Sequence, residues 1–142
     1  LKDKIRELSN RQKKTIIRNL SNEELLALYY DWRGIWARPN QIEPDGDWTY
    51  WLVLAGRGFG KTKLAAEWIR ERVDNLKSRN IALIAPRTAD IRDIMIEGPS
   101  GLLNVFPPWQ RPKYEPSKRK ITFHTGAVAI TYSGDEPDQL RG

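Results

Sequence analysis

The run Trp51-Leu52-Val53-Leu54-Ala55-Gly56-Arg57-Gly58-Phe59-Gly60-Lys61-Thr62 constrains this chain more than any other stretch. An apolar segment leads into a glycine-rich loop, and the loop leads into Lys-Thr. Apolar residues then recur at Leu64, Ala65, Trp68, Ile69 and Val73 with helical spacing. Strand, glycine loop, Lys-Thr and helix in that order make a P-loop. Glycines let consecutive backbone N–H groups turn inward around a phosphate, because no Cβ obstructs the approach. The start of the following helix adds the positive end of its dipole. In such a loop Lys61 reaches the β- and γ-phosphates of a nucleotide, and Thr62 offers its hydroxyl to Mg²⁺. A lysine at a helix start is otherwise disfavoured by the dipole, so it calls for an anion. The strict pattern G-x-x-x-x-G-K-[ST] departs here at its first glycine, which is Ala55. Alanine is the smallest replacement, and Gly56 and Gly58 keep the loop permissive. Gly56, Arg57, Gly58, Phe59, Gly60, Lys61 and Thr62 are the expected phosphate-binding residues.

The 142 residues amount to one domain's worth of chain. With 39% hydrophobic and 30% charged residues, the composition is that of a globular protein with a real core. The absence of cysteine excludes disulfides and cysteine metal sites, and a single His argues against a histidine metal site. No apolar run approaches membrane-spanning length and no signal peptide is visible, which points to the cytosol. The net charge of +6 suits a polyanionic partner.

Ile5, Leu8, Ile16, Ile17 and Leu20 are spaced loosely like one helix face. Ser21 is an N-cap with Glu24 at the capping-box position. Leu25, Leu26, Leu28, Tyr29, Trp32 and Trp36 then give an apolar helical face, whose aromatics are expected in the core, and Pro39 ends it. A loop over 39–48 precedes the first core strand, 50–55, and the helix 61–75 follows. Residues 81–86 form a second strand, so strand–helix–strand order predicts a right-handed crossover and a parallel pair. A helix from Thr88 to about Ile96, a short turn at Leu102 to Phe106, a proline-rich loop and a hairpin over 120–132 complete the reading.

With these elements in place, the chain resembles the ATPase domain of the terminase large subunits of tailed bacteriophages. The resemblance rests on Ala55 to Thr62 with Ala66-Glu67-Trp68, on Trp36-Ala37-Arg38-Pro39-Asn40-Gln41, and on Tyr132-Ser133-Gly134-Asp135-Glu136-Pro137-Asp138-Gln139-Leu140-Arg141-Gly142. It runs from about residue 22 to the end. It implies a motor that hydrolyses ATP with Mg²⁺ to package double-stranded DNA into a procapsid. It also implies a homo-oligomeric ring at a portal protein, a DNA-recognising small subunit, a C-terminal nuclease domain and the host cytoplasm. In that family a Walker B pair follows soon after the Leu-Arg-Gly segment, whereas this chain stops there. The chain is therefore expected to be an N-terminal piece that binds ATP without turning it over efficiently. The expected fold class is α/β, a RecA-like (ASCE-type) P-loop NTPase. A mostly parallel, truncated sheet flanked by helices would span 46–142, behind a helical segment and adenine-side loop at 1–45. A helicase-like nucleic-acid translocase shares the P-loop and the upstream glutamine, and is the alternative.

Several residues carry two readings. Arg57 is either solvated or turned toward a γ-phosphate, in cis or across a ring interface, as an arginine finger; the resemblance favours a catalytic role beside Lys61. Gln41 is either an ordinary loop residue or an amide that reads the adenine edge with one donor and one acceptor. Arg141 is a candidate coupling residue. Lys113, Lys118, Arg119 and Lys120 form either a solvated basic loop, the favoured reading, or a contact to the DNA backbone. Asp135, Glu136 and Asp138 are read as a solvated acidic turn rather than a metal site.

Overall fold

The computed structural model describes residues 9–135. Ile5, Leu8, Glu136, Asp138 and Arg141 lie outside the described residues. The chain divides into two compact units, Leu1–Leu52 and Val53–Gly142.

The first unit is helical. Helix α1, Asn10–Asn19, is capped by Ser9, whose side chain accepts from the Gln12 N–H while Gln12 reaches back to the Ser9 N–H. Helix α2, Asn22–Tyr30, starts with the expected box: Glu24 N–H donates to Ser21 Oγ, and Ser21 N–H donates to Glu24 Oε2 at 2.8 Å. The apolar pattern continues to Trp36, but α2 stops at Tyr30. Asp31 accepts from the Gly34 N–H and starts a separate π-helical turn, Trp32–Trp36. The break redistributes the aromatics. Trp32 is buried, whereas Tyr29 and Trp36 are exposed, contrary to their expected place in the core. Trp36 instead uses its indole N–H on carbonyls in the last turn of α2, Leu28 at 3.2 Å and Tyr29 at 2.9 Å. A 3₁₀ turn, Pro39–Gln41, follows.

The second unit is a sheet with helical segments on one face. Helix α3 is Lys61–Asp74 and strand β1 is Asn80–Ala85. Helix α4, Thr88–Asp90, runs directly into a π-helical stretch, Ile91–Ile96, so the expected helix is present with a widened second half. Helix α5 is Leu102–Val105. Strands β2, Lys113–Glu115, β3, Lys120–Thr122, and β4, Val128–Ser133, follow. Sequence reading placed β2 in a loop. Its three residues are too few to show alternation, and only its ladder with β3 makes it a strand. The hairpin β3–β4 turns at Gly126, whose φ of 84° favours glycine.

The sheet runs β1-β4-β3-β2. It is mixed rather than mostly parallel: β1 and β4 are parallel, and the two other pairs are antiparallel. The expected strand at 50–55 does not form. Residues 51–55 keep the alternation of a strand, with Leu52 and Leu54 exposed between half-buried neighbours, but carry no ladder. A segment becomes a strand only when a neighbour takes its backbone hydrogen bonds, and no described strand does so here. The parallel partner of β1 is thus β4, reached by a far longer connection than the predicted crossover.

Register puts alternate residues on opposite faces. Leu83, Ala129 and Ile121 point to the helical side and are buried. There they meet Ala66, Ile69 and Val73 of α3, with Ile91, Ile96, Leu102, Val105 and Phe106. Phe106 stacks obliquely on Phe123 with ring centroids 5.6 Å apart. Ala82 and Ile84 look out from the opposite face, exposed.

Candidate phosphate-binding site

The glycine loop turns into α3 through two residues in left-handed backbone. Gly58 has φ 84° and Gly60, the residue before the helix, φ 89° with ψ 31°. A side chain is strained at either position. Gly60 also gives its carbonyl to the Leu64 N–H at 2.9 Å, starting the helical ladder. At Gly56 φ is not in that region and an added Cβ would meet nothing within 4 Å, so this glycine is not sterically demanded.

Lys61 opens α3 and folds back across the loop. Its ammonium donates to the carbonyls of Ala55, at 2.7 Å, and Gly56, at 2.9 Å. These charge-assisted bonds tie the entrance of the loop to its exit. They also explain the tolerance of alanine at 55, where the loop uses the backbone carbonyl of the residue rather than a special conformation.

The loop forms one wall of a cleft of about 440 Å³, to which Arg57, Lys61 and Lys63 bring three cations and Thr62 a hydroxyl. Asp93 and Ile94 of the π-helical stretch and Gly98-Pro99-Ser100 form the facing wall. Gly98 is needed there for close approach: an added Cβ would lie 2.6 Å from the Asp93 carbonyl and 2.9 Å from that of Ile94. The cleft combines a helix start, open loop backbone and a cationic excess, and suits an anion. Sequence reading anticipated the loop wall but not the facing one, nor Lys63. Lys63 was legible in one respect, since Lys63, Glu67 and Arg70 stand at helical i, i+4 and i+3 spacings.

Mg²⁺ is commonly held by one or two protein oxygens, with phosphates and water completing its shell. The Thr62 hydroxyl fits that requirement. Among the described residues no three His, Cys, Asp or Glu side chains converge as a ready-made cage.

The other candidates are not among the residues that line this cleft. Gln41 belongs to the first unit, where it is 5% exposed and its amide oxygen accepts from the Arg38 N–H at 3.1 Å. The basic residues before the hairpin are partly neutralised. Glu115 pairs with Lys118 at 2.7 Å and Lys113 at 3.8 Å, and these cations hold its carboxyl below the usual range. Asp135 is exposed, and its N–H donates to the Pro86 carbonyl.

A family model described as "Terminase large subunit, T4likevirus-type, N-terminal" matches residues 52–142, more than half of the chain. The chain belongs to the terminase large subunits. It is an N-terminal region of that protein, part of the machinery that packages phage DNA, in a family of ATPase and nuclease enzymes. The terminase match begins at Leu52 and so takes in the glycine loop, both cleft walls and the mixed sheet. No curated protein and no solved structure matches the chain. Among the described residues, no helix is long and apolar enough to cross a membrane.

The loop geometry separates two glycines that look alike in sequence. Gly58→Ala should destabilise the terminase region by about 1–2 kcal/mol, the cost of left-handed backbone with a side chain. Gly56→Ala should stay within about 0.5 kcal/mol of the native chain. Denaturant titration of both variants checks this, and equal effects would contradict the loop conformation.

Proposed function

We propose that this chain is the ATP-binding part of a DNA-packaging motor and that the cleft beside Lys61 receives the nucleotide's phosphates. The observation that carries the reading is the bent-back lysine. Its ammonium is held by two loop carbonyls at the start of a 14-residue helix, beside a cleft with two further cations. In this reading Gly56, Arg57, Gly58, Phe59 and Gly60 wrap the phosphates with backbone N–H groups, and Lys61 neutralises them from the helix start. Thr62 would hold Mg²⁺ through its hydroxyl, and the ion would supply positive charge to the phosphates. Arg57 is exposed at the cleft mouth and acts on charge that grows at the γ-phosphate in the transition state. Gln41, whose amide oxygen accepts from the Arg38 N–H, reads adenine with that amide, which offers a donor and an acceptor together.

The family supplies the wider setting of the proposal: translocation of double-stranded DNA into a procapsid by a ring of subunits at a portal, with a small subunit, in the host cytoplasm. Residues 1–45 would form the helical, adenine-side segment and 46–142 the nucleotide-binding core. Arg141 would couple the nucleotide to motion.

Removing the lysine tests the phosphate assignment. Lys61→Ala loses a charge-assisted contact worth about 1.5–3 kcal/mol, so the affinity for ATPγS should fall about 10- to 100-fold by calorimetry. Equal affinity in the two proteins would place the phosphates elsewhere.

An arginine acting on the transition state affects turnover more than binding. In a large subunit carrying this region, Arg57→Ala should lower kcat by about 10³ with little change in nucleotide affinity. Arg57→Lys should rescue poorly, since lysine lacks the planar fork. Near-normal turnover in either variant would leave Arg57 as a solvated loop residue.

Base choice tests Gln41. Gln41→Ala should narrow the preference for ATP over GTP in competition binding, while affinity for inorganic triphosphate stays unchanged. Unaltered selectivity would dismiss the adenine contact.

A further inference from the structure

We propose that Glu67 is a positioning residue for this cleft: from beneath α3 it holds the ammonium of Lys63 at the rim, where it serves as a further cation for a nucleotide's phosphates. The proposal rests on the phosphate reading of the cleft. It starts from an anomaly, a glutamate 97% withdrawn from solvent in the middle of the helix that follows the loop. Buried carboxylates need partners, and this one has two. Oε1 lies 3.1 Å from Lys63 Nζ, one turn nearer the loop. Oε2 lies 3.2 Å from Arg70 Nη1, an ion pair outside hydrogen-bond geometry, and Nη1 donates to the Val105 carbonyl at 2.7 Å. Cleft, Lys63, Glu67, Arg70 and the end of α5 are thereby joined in one chain of contacts.

The two ends of that chain differ. Arg70 is buried and fixed against backbone. Lys63 retains 35% of its side-chain exposure and lines the cleft wall beside Lys61 and Thr62. A lysine stem is flexible, and an unanchored ammonium at the mouth of a cleft spends most of its time in water. Pairing with Glu67 restricts it to the rim. Burial pushes the Glu67 carboxyl above the usual range, while Arg70 and Lys63 pull it back down, so Lys63 also helps to keep the carboxylate charged.

Electrostatics alone gives the opposite expectation for neutralising Glu67. Removing a negative charge near an anion site should tighten anion binding. Positioning predicts weaker binding, and only when Lys63 is present. The test is a double-mutant cycle on the 142-residue chain, reading ATPγS affinity by calorimetry, with thermal melting as a check on folding. Lys63→Met keeps the stem without the charge and should weaken binding about fivefold, the scale of a partly exposed ion pair. Lys63→Arg should restore binding to within about twofold of the native chain. Glu67→Gln should weaken binding by a similar factor, yet change nothing when Lys63→Met is already present. If Glu67→Gln fails to fold, Glu67→Asp, which withdraws the charge by one methylene, takes its place in the cycle. Native affinity in Lys63→Met, or an equal effect of Glu67→Gln in both backgrounds, would overturn the proposal. Lys61→Ala run alongside separates the two levels. If it abolishes binding while Lys63→Met does not affect it, only the role of Glu67 falls. If it binds like the native chain, the phosphate reading falls first.

Discussion

The site depends on how α3 is pinned. A loop of small residues has no means of fixing its own conformation, because glycine loses more freedom on ordering than any other residue. Order is supplied from both ends. Behind the loop, Ala66, Ile69 and Val73 bury one stripe of α3 in the core cluster under the sheet. In front, Lys61 bonds the carbonyls of Ala55 and Gly56. The helix is thus held by apolar burial along its length, and the loop is held by the first residue of the helix. The left-handed turns at Gly58 and Gly60 are the geometric cost of bringing those two ends together.

The buried polar group within α3 follows from the same arrangement. Replacing Glu67 and Arg70 by apolar residues of similar volume would satisfy a hydrophobic core at least as well. A buried pair is weak evidence of stability, so its presence asks for another reason. Arg70 donates a hydrogen bond to the Val105 carbonyl, at the end of α5, where helix carbonyls have no partner within the helix. That ties α3 to the segment following the facing wall of the cleft. The walls are therefore joined by a polar linkage as well as by packing, and a directional linkage fixes their relative position better than apolar contact does.

Much of this was legible in the sequence, and the failures share a cause. The glycine loop, α3, β1, the β3–β4 hairpin and the Ser21 cap all rest on local signals: periodicity, turn chemistry and side-chain to backbone bonds a few residues apart. Each is present as read. What failed required knowledge of distant partners. The alternation in Trp51-Leu52-Val53-Leu54 reads as a strand, and the burial alternates accordingly, but a ladder is a property of two segments. The pairing of β1 with β4 spans more than forty residues and leaves no trace in either strand. Trp36 failed differently. Helical spacing counted it into the apolar face, but α2 ends with its C-cap at Asp31, five residues earlier, and the indole N–H bonds the carbonyls of Leu28 and Tyr29 in the last turn of that helix. In the candidate site the loop residues were readable and the facing wall was not. Gly98-Pro99-Ser100 looks like any helix breaker until the fold sets it across from Lys61.

The first turn of α3 divides two environments. On one side lies the cleft with its three cations. On the other, Lys61 and Thr62 also border a cavity of about 230 Å³ whose remaining lining is apolar: Ala65, Ala66, Ile69, Leu83, Met95 and Leu102. A charge is screened by whatever can reorient around it, and aliphatic side chains reorient little. This aliphatic lining adds little to the damping of the field of the helix start and of Lys61. Once an anion displaces water from the cleft, the damping falls on that side too, and each N–H and ammonium contact strengthens. Ala66, Ile69, Leu83 and Leu102 thus serve twice, as core that pins α3 and as weakly polarisable surroundings of its first turn.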